Sequence, residues 1–162
     1  MTTDTRTPPP LSEALAGLGG LKGASIRKEL LRRRAPAEWN FRVLNLESFY
    51  RYCDAAGVLV HEVRLEIPGT YLFVYGQPRI LISDELDEVE RLFVGFHELA
   101  HHWLHRRPVQ FFRGREDAVE VEANVVAACA MIPAHLIKHG LPVAYPEILL
   151  RLRREVFDRW RI

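Results

Sequence analysis

Residues 79–105 read RILISDELDEVERLFVGFHELAHHWLH, and this stretch decides the fold. It begins with a strand-forming segment, continues with an acidic run typical of a helix N-terminus, and ends in a long helical pattern. Ser83 or Asp84 is the expected cap of this helix, which we predict to end near residue 105 or 106. At about 100° per residue, the apolar side chains of the helix form one continuous stripe. The stripe contains Val89, Leu92, Phe93, Phe96, Leu99, Ala100 and Trp103.

The opposite arc of this helix carries a metal-binding pattern, His97-Glu98-Leu99-Ala100-His101. Two histidines four residues apart lie one above the other on a helix and can bind the same cation. Glu98 points about a quarter turn away, where it can reach a metal-bound water without ligating the metal. The pattern therefore predicts Glu98 as a catalytic base and His97 and His101 as ligands of one Zn2+ per chain, with a third ligand still required. The alternative is a surface helix that is merely rich in histidine.

A second helix, predicted over residues 117–131, supplies the third ligand. Glu120 lies on one face with small residues that allow close packing on the metal helix, and its inward charge is costly unless it is paired or bound to a cation. Glu122 lies about 160° away, so the two carboxylates cannot face one metal. Asn124 follows Glu120 by one turn and is placed to hydrogen-bond the outer nitrogen of a ligating histidine. Glu116 is the reserve ligand, and the alternative is that Glu120 is an ordinary exposed acid.

Three strand-like segments lie between an early helix and the metal helix. The early helix is predicted at residues 47–57, with Phe49, Tyr50 and Cys53 on its inner side, and the strands at 58–66, 70–75 and 79–83. The last two flank Gly76-Gln77-Pro78, which predicts a hairpin with a three-residue connection in a β-meander. The order of helix, sheet and further helices predicts the α+β class.

The central residues of the third strand, Ile80, Leu81 and Ile82, are the expected docking strand for substrate. If this strand lies at the sheet edge beside the metal helix, an extended peptide can add to it through main-chain hydrogen bonds. The alternative is an edge that the N-terminal segment covers.

The chain has 162 residues, enough for one domain with a hydrophobic core. Residues 1–36 are predicted to be a flexible tail with a short basic helical stretch at 26–34, and residues 37–162 to form the domain. Residues 134–162 are predicted to form a short helix, a turn and a last amphipathic helix.

The charge balance excludes a general attraction to nucleic acid or membrane. The chain has 22 basic and 21 acidic side chains, a net charge of +1, and no apolar run as long as a membrane span. Neither membrane nor direct nucleic-acid binding is therefore expected. Two cysteines are too few for a secreted disulfide framework, and the N-terminus does not have the pattern of a signal peptide, so a cytoplasmic location is expected.

These motifs together resemble the ImmA/IrrE-type metallopeptidases, a gluzincin-like family of bacteria, phages and mobile elements. The resemblance covers about residues 45–135 and includes the metal motif with Leu104-His105 after it, Ala123-Asn124 after Glu120, the segment 130–133 and the strand 80–83. It implies a zincin-like fold with zinc held by His97, His101 and Glu120 and with Glu98 as catalytic base. Two positions depart from the family pattern: Val126 precedes Ala127 where an aromatic residue is usual, and Leu92 replaces an expected arginine. These departures affect substrate preference more than metal binding.

The resemblance implies a protein substrate, typically a DNA-binding helix-turn-helix repressor, cut by a zinc-dependent endopeptidase. Two other function classes stay open. One is a zinc-bound regulatory or binding module with little or no turnover, although a structural site has no need of Glu98. The other is a DNA-binding regulator that uses the basic stretches at 27–34 and 151–161, of which the second is offset by acidic side chains.

Overall fold

A three-stranded sheet and the helices around it make up the part of the chain that the computed structural model describes, residues 34–107, 116–131 and 133. The elements are α1 (Leu46–Ala56), β1 (Leu59–Val63), β2 (Gly69–Val74), β3 (Gln77–Ser83), α2 (Glu88–Ala100), a π-helix (His101–His105) and α3 (Glu116–Met131). This order confirms the α+β class.

Some predicted features lie outside the described residues. Most of the tail at residues 1–36, with nearly all of its basic stretch, lies outside them. The helices predicted after residue 134 and the side chain of Glu116 lie outside them as well. The domain boundary at residue 37 therefore stays a prediction. Between residues 34 and 131, the described helices are all too short or too polar to cross a membrane.

Helix α1 forms close to the predicted range. Asn45 and Ser48 make a reciprocal capping box at its start, and Gly57 ends it in the left-handed conformation with φ of 71°. Tyr52 is buried on its inner side, whereas Tyr50, which the sequence placed there, is only partly buried.

The sheet is mixed, with β3 in its centre and the order β1-β3-β2. Strand β3 runs parallel to β1 and antiparallel to β2, so the predicted meander, which requires sequential neighbours, is wrong. The predicted hairpin between β2 and β3 is present, but its connection has two residues, because Val74 pairs directly with Gln77. Tyr75 and Gly76 form this turn with φ of 50° and 76°, as a two-residue hairpin turn of type I′ requires.

The expectation that Ile80, Leu81 and Ile82 lie on an edge strand is also wrong. Each of them pairs with β1 on one side and with β2 on the other, so their backbone cannot accept a further strand. The physical reason is visible in the continuous apolar run, which is typical of a strand inside a sheet. The edges of the described sheet are β1 and β2.

Helix α2 begins at Glu88, and its cap is Asp87, whose side chain accepts a hydrogen bond from the backbone N–H of Glu90. The predicted cap was too early because Ser83 is still the last residue of β3. At its C-terminal end α2 continues into the π-helix, in which the Arg106 N–H donates to the His101 carbonyl oxygen at 2.8 Å. The end of the helix therefore falls where the sequence predicts it.

Helix α2 is the central element of the core and contacts α1, β2, β3 and α3. Every residue from 93 to 105 is buried, including the histidines that the helical pattern placed on a cleft-facing arc. On the α1 side Gly95 lies against the ring of Phe49. On the α3 side small buried residues, among them Ala123, Ala127 and Ala130, allow close helix packing.

Candidate metal centre

The two motif histidines meet at the end of α2 and the start of the π-helix. His97 and His101 lie one helical turn apart, and their Nε2 atoms are 3.2 Å from each other. Both imidazoles are about fully buried, with 1% of each residue exposed. The helical spacing thus brings two potential ligand atoms together inside the core.

Glu120 reaches the same point from α3. Its Oε2 atom is 2.9 Å from Nε2 of His97, and its Oε1 atom is 3.2 Å from Nε2 of His101. Two ligand atoms held at about 2.05 Å from a tetrahedral ion are about 3.3 Å apart. The three side chains therefore have the separation that a shared metal ion requires, and they form a group able to hold one.

Hydrogen bonding on the outer side of His97 determines which of its nitrogens can bind a metal. Nδ1 of His97 is 2.9 Å from Oδ1 of Asn124, and an amide oxygen can only accept, so Nδ1 carries the proton. Nε2 is then the nitrogen that faces the carboxylate of Glu120 and Nε2 of His101, and it offers its lone pair to a metal when the ring is neutral. Acceptor atoms that face one point repel one another unless a cation lies between them, so this donor set fits a divalent metal.

The electrostatics of the three side chains agree with this arrangement. Burial alone would raise the pKa of Glu120, but the adjacent imidazoles of His101 and His97 hold it well below its usual range. Burial opposes protonation of His97, yet the neighbouring Glu120 carboxylate raises its pKa. Burial lowers the pKa of His101 to about 4. Glu120 is thus an anion and His101 a neutral ring, whereas His97 favours its protonated form beside Glu120 and would release that proton on binding a metal.

Glu98 lies beside this group on the same helix. The backbone N–H of Tyr71 in β2 faces its carboxylate and acts to lower its pKa, and its charge interacts with those of His97 and Glu120. Burial raises the pKa of Glu98 to about 7, although His97 acts in the opposite direction. A carboxyl group with a pKa near neutrality is suited to accept a proton and give it back.

Two further contacts of this helix are not indicated by the sequence. The hydroxyl of Tyr71 is 2.8 Å from Nδ1 of His102, and both residues are buried. On the other side, His105 lies between His101 and Glu122. Helical phase did place Glu122 away from Glu120, but it could not show that the side chain of Glu122 is buried against a different helix.

Comparison with known proteins shows which family model the chain matches. The family model of Peptidase_M78, the IrrE N-terminal-like domain, matches residues 53–155, well over half of the chain. The matched segment begins in α1 and contains the sheet, α2, the π-helix, α3 and every residue of the centre described above. The curated proteins and the solved structures gave no significant match.

Proposed function

Because the chain belongs to the Peptidase_M78 family of IrrE N-terminal-like domains, we propose that it is a zinc-dependent endopeptidase that cuts a protein substrate. The observation that carries this proposal is the convergence of three metal-ligand atoms, from His97, His101 and Glu120, beside the buried carboxylate of Glu98. A purely structural zinc site would be closed by a fourth protein ligand and would have no use for such a base.

The roles of the side chains follow from their positions. His97, His101 and Glu120 would hold zinc, which when bound supplies an acidified water and a Lewis acid for the peptide carbonyl. Glu98 accepts the proton of the attacking water and then donates it to the nitrogen of the leaving amine. Asn124 keeps the proton of His97 on Nδ1, so that Nε2 stays directed at the metal.

We infer that the substrate docks on the outer edge of β2, an edge strand of the described sheet, and not on β3. The Tyr71 N–H points away from β3, because the hairpin closes on the pair Val74 and Gln77 and Tyr71 lies three residues before Val74, at a non-hydrogen-bonded position of the ladder. Hydrogen-bonding directions alternate along an antiparallel strand, so the backbone groups of Phe73 face the same side. An extended peptide that added to this edge would pass directly beside the proposed base.

The proposed substrate is a cytoplasmic DNA-binding repressor of the helix-turn-helix class. Support comes from the family resemblance and from the free buried thiols of Cys53 and Cys129, which suit a reducing compartment. A dedicated enzyme of this kind gains its specificity from contacts far from the cut bond and should leave generic unfolded proteins nearly intact.

The experiment that tests this function compares two substrates. Zinc-loaded protein is incubated with a co-encoded helix-turn-helix repressor and, separately, with casein. We expect one discrete cut in the repressor and little casein hydrolysis, with the cut lost in Glu98→Gln and after chelation. Rapid, unselective casein digestion would indicate a general peptidase. Intact repressor in the presence of bound zinc would favour a regulatory binding module.

A further inference from the structure

Two buried residues that this mechanism does not use lie directly behind the metal centre. Nδ1 of His105 is 2.9 Å from Nδ1 of His101, and Nε2 of His105 is 3.6 Å from Oε2 of Glu122, within ion-pair range. A chain of contacts therefore connects the Glu122 carboxylate on α3, through the imidazole of His105, to His101. Nε2 of His101 in turn faces Glu120.

We propose that Glu122 and His105 are a positioning pair that holds the proton of His101 on Nδ1 and keeps its Nε2 free to bind the metal. The pair acts on the metal through His101, since neither residue belongs to the ligand group. The inference rests on the metal centre of the proposed function, but it concerns how firmly the metal is held and not what is cut.

The direction of the hydrogen bond follows from the charges. The carboxylate of Glu122 attracts an N–H dipole and so favours the tautomer of His105 with its proton on Nε2. Nδ1 of that tautomer carries a lone pair, so the hydrogen between the two Nδ1 atoms belongs to His101. The opposite direction would put the proton of His101 on Nε2, where it would face Glu120 and exclude a metal.

Burial makes this pair hard to replace. His105 is 7% exposed and Glu122 is 3% exposed, so bulk water cannot readily substitute for either side chain. His97 reaches the same tautomer by a different means, through the neutral amide of Asn124.

The direct test is nuclear magnetic resonance of the zinc-loaded full chain with 15N-labelled histidine. An N–H···N hydrogen bond transmits a scalar coupling between its two nitrogens. We expect this coupling between Nδ1 of His101 and Nδ1 of His105, with His105 carrying its own proton on Nε2. A His105 proton on Nδ1, or no coupling with zinc bound, would overturn the proposal in the wild-type protein itself.

Zinc affinity in variants supplies a second readout. His105→Leu removes the acceptor and should weaken zinc binding about 10- to 100-fold, the usual effect of losing an outer partner of a ligand. His105→Gln offers an amide oxygen, as Asn124 does for His97, and should recover most of the affinity. Glu122→Gln should fall between His105→Leu and wild type. His61→Leu, which changes a histidine in β1, is the control and should bind zinc normally.

The outcomes separate this proposal from the proposed function. Equal losses of affinity in His105→Leu and His105→Gln would indicate packing and sink the positioning role, while leaving the peptidase intact. Wild-type zinc affinity in both variants would also rule out the positioning role. A wild-type chain that binds no zinc would overturn both proposals, whereas zinc binding with the expected coupling but no peptide cleavage would sink only the peptidase.

Discussion

Gly69 lies so close to α2 that a Cβ atom on it would meet Cγ1 of Val94 at 2.6 Å. The same Cβ atom would lie 3.4 Å from Cγ of Glu98. The absence of a side chain at this position therefore allows the start of β2 to approach the metal helix, and it keeps the Tyr71 N–H within reach of the Glu98 carboxylate. The close packing of β2 on α2 therefore links the position of the sheet edge to that of the proposed base, Glu98.

Gly69→Ala is expected to force β2 away from α2. Val94 is β-branched and cannot move aside easily, so we expect a loss of about 1 to 3 kcal/mol in unfolding free energy, as for other overpacked cores. Hydrolysis per folded molecule should fall as well. Gly95→Ala is the matched control: its Cβ would meet the ring of Phe49 at 2.9 Å, on the α1 side of the helix. It should destabilise the protein with its turnover intact, and equal turnover in both variants would contradict the coupling.

Metal content distinguishes the three proposed ligands from other residues. Purified protein should contain about one zinc per chain, His97→Ala and His101→Ala should contain almost none, and Glu120→Ala should bind it far more weakly. Elemental analysis after exhaustive dialysis measures this directly. His61→Ala serves as the control for histidine loss and should retain its zinc. Full zinc content in Glu120→Ala would mean that another carboxylate completes the site.

Glu98→Gln separates metal binding from chemistry. The amide keeps the shape of the side chain but cannot accept a proton, so zinc content should be unchanged while the cleavage rate drops by orders of magnitude. Single-turnover assays with the cleaved substrate measure the effect. Glu88→Gln, at the exposed start of the same helix, should cleave at the wild-type rate. Wild-type cleavage by Glu98→Gln would rule out its role as base.

The raised pKa of Glu98 predicts a pH-dependent stability of the metal-free chain. Its folded-state pKa of about 7 lies above the ordinary value of 4.5, so the folded form binds more protons than the unfolded form between these values. This contribution destabilises the protein as the pH rises through that window, by on the order of 3 kcal/mol. Urea unfolding in the presence of a chelator measures the free energy of unfolding at pH 5 and at pH 8. From pH 5 to pH 8, the difference between Glu98→Gln and wild type should shift in favour of the variant. Parallel pH profiles of the two proteins would refute the shift.

The metal-binding helix α2 and the ligand-bearing face of α3 could be predicted because each depends on residues that are close together in the sequence. Positions 97, 98 and 101 and the phase of Glu120 against Glu122 follow from the geometry of single helices. The strand order was not predictable, because the pairing of Ile80 with both Val60 and Tyr71 depends on contacts between distant segments. Likewise, no periodicity indicates that Glu122 lies against His105, since the two residues belong to different helices.

The uninterrupted burial of residues 93–105 has a consequence for mutational tolerance. An ordinary surface helix offers a solvent-facing side on which substitutions accumulate at little cost, but this segment has no such side. Each replacement there must disturb either packing or the residues around the metal. The first turn of α2, where Glu88 and Val89 are exposed, is free of that constraint. Saturation mutagenesis of the helix should therefore give a sharp step, with permissive positions before Leu92 and almost none from Phe93 onward.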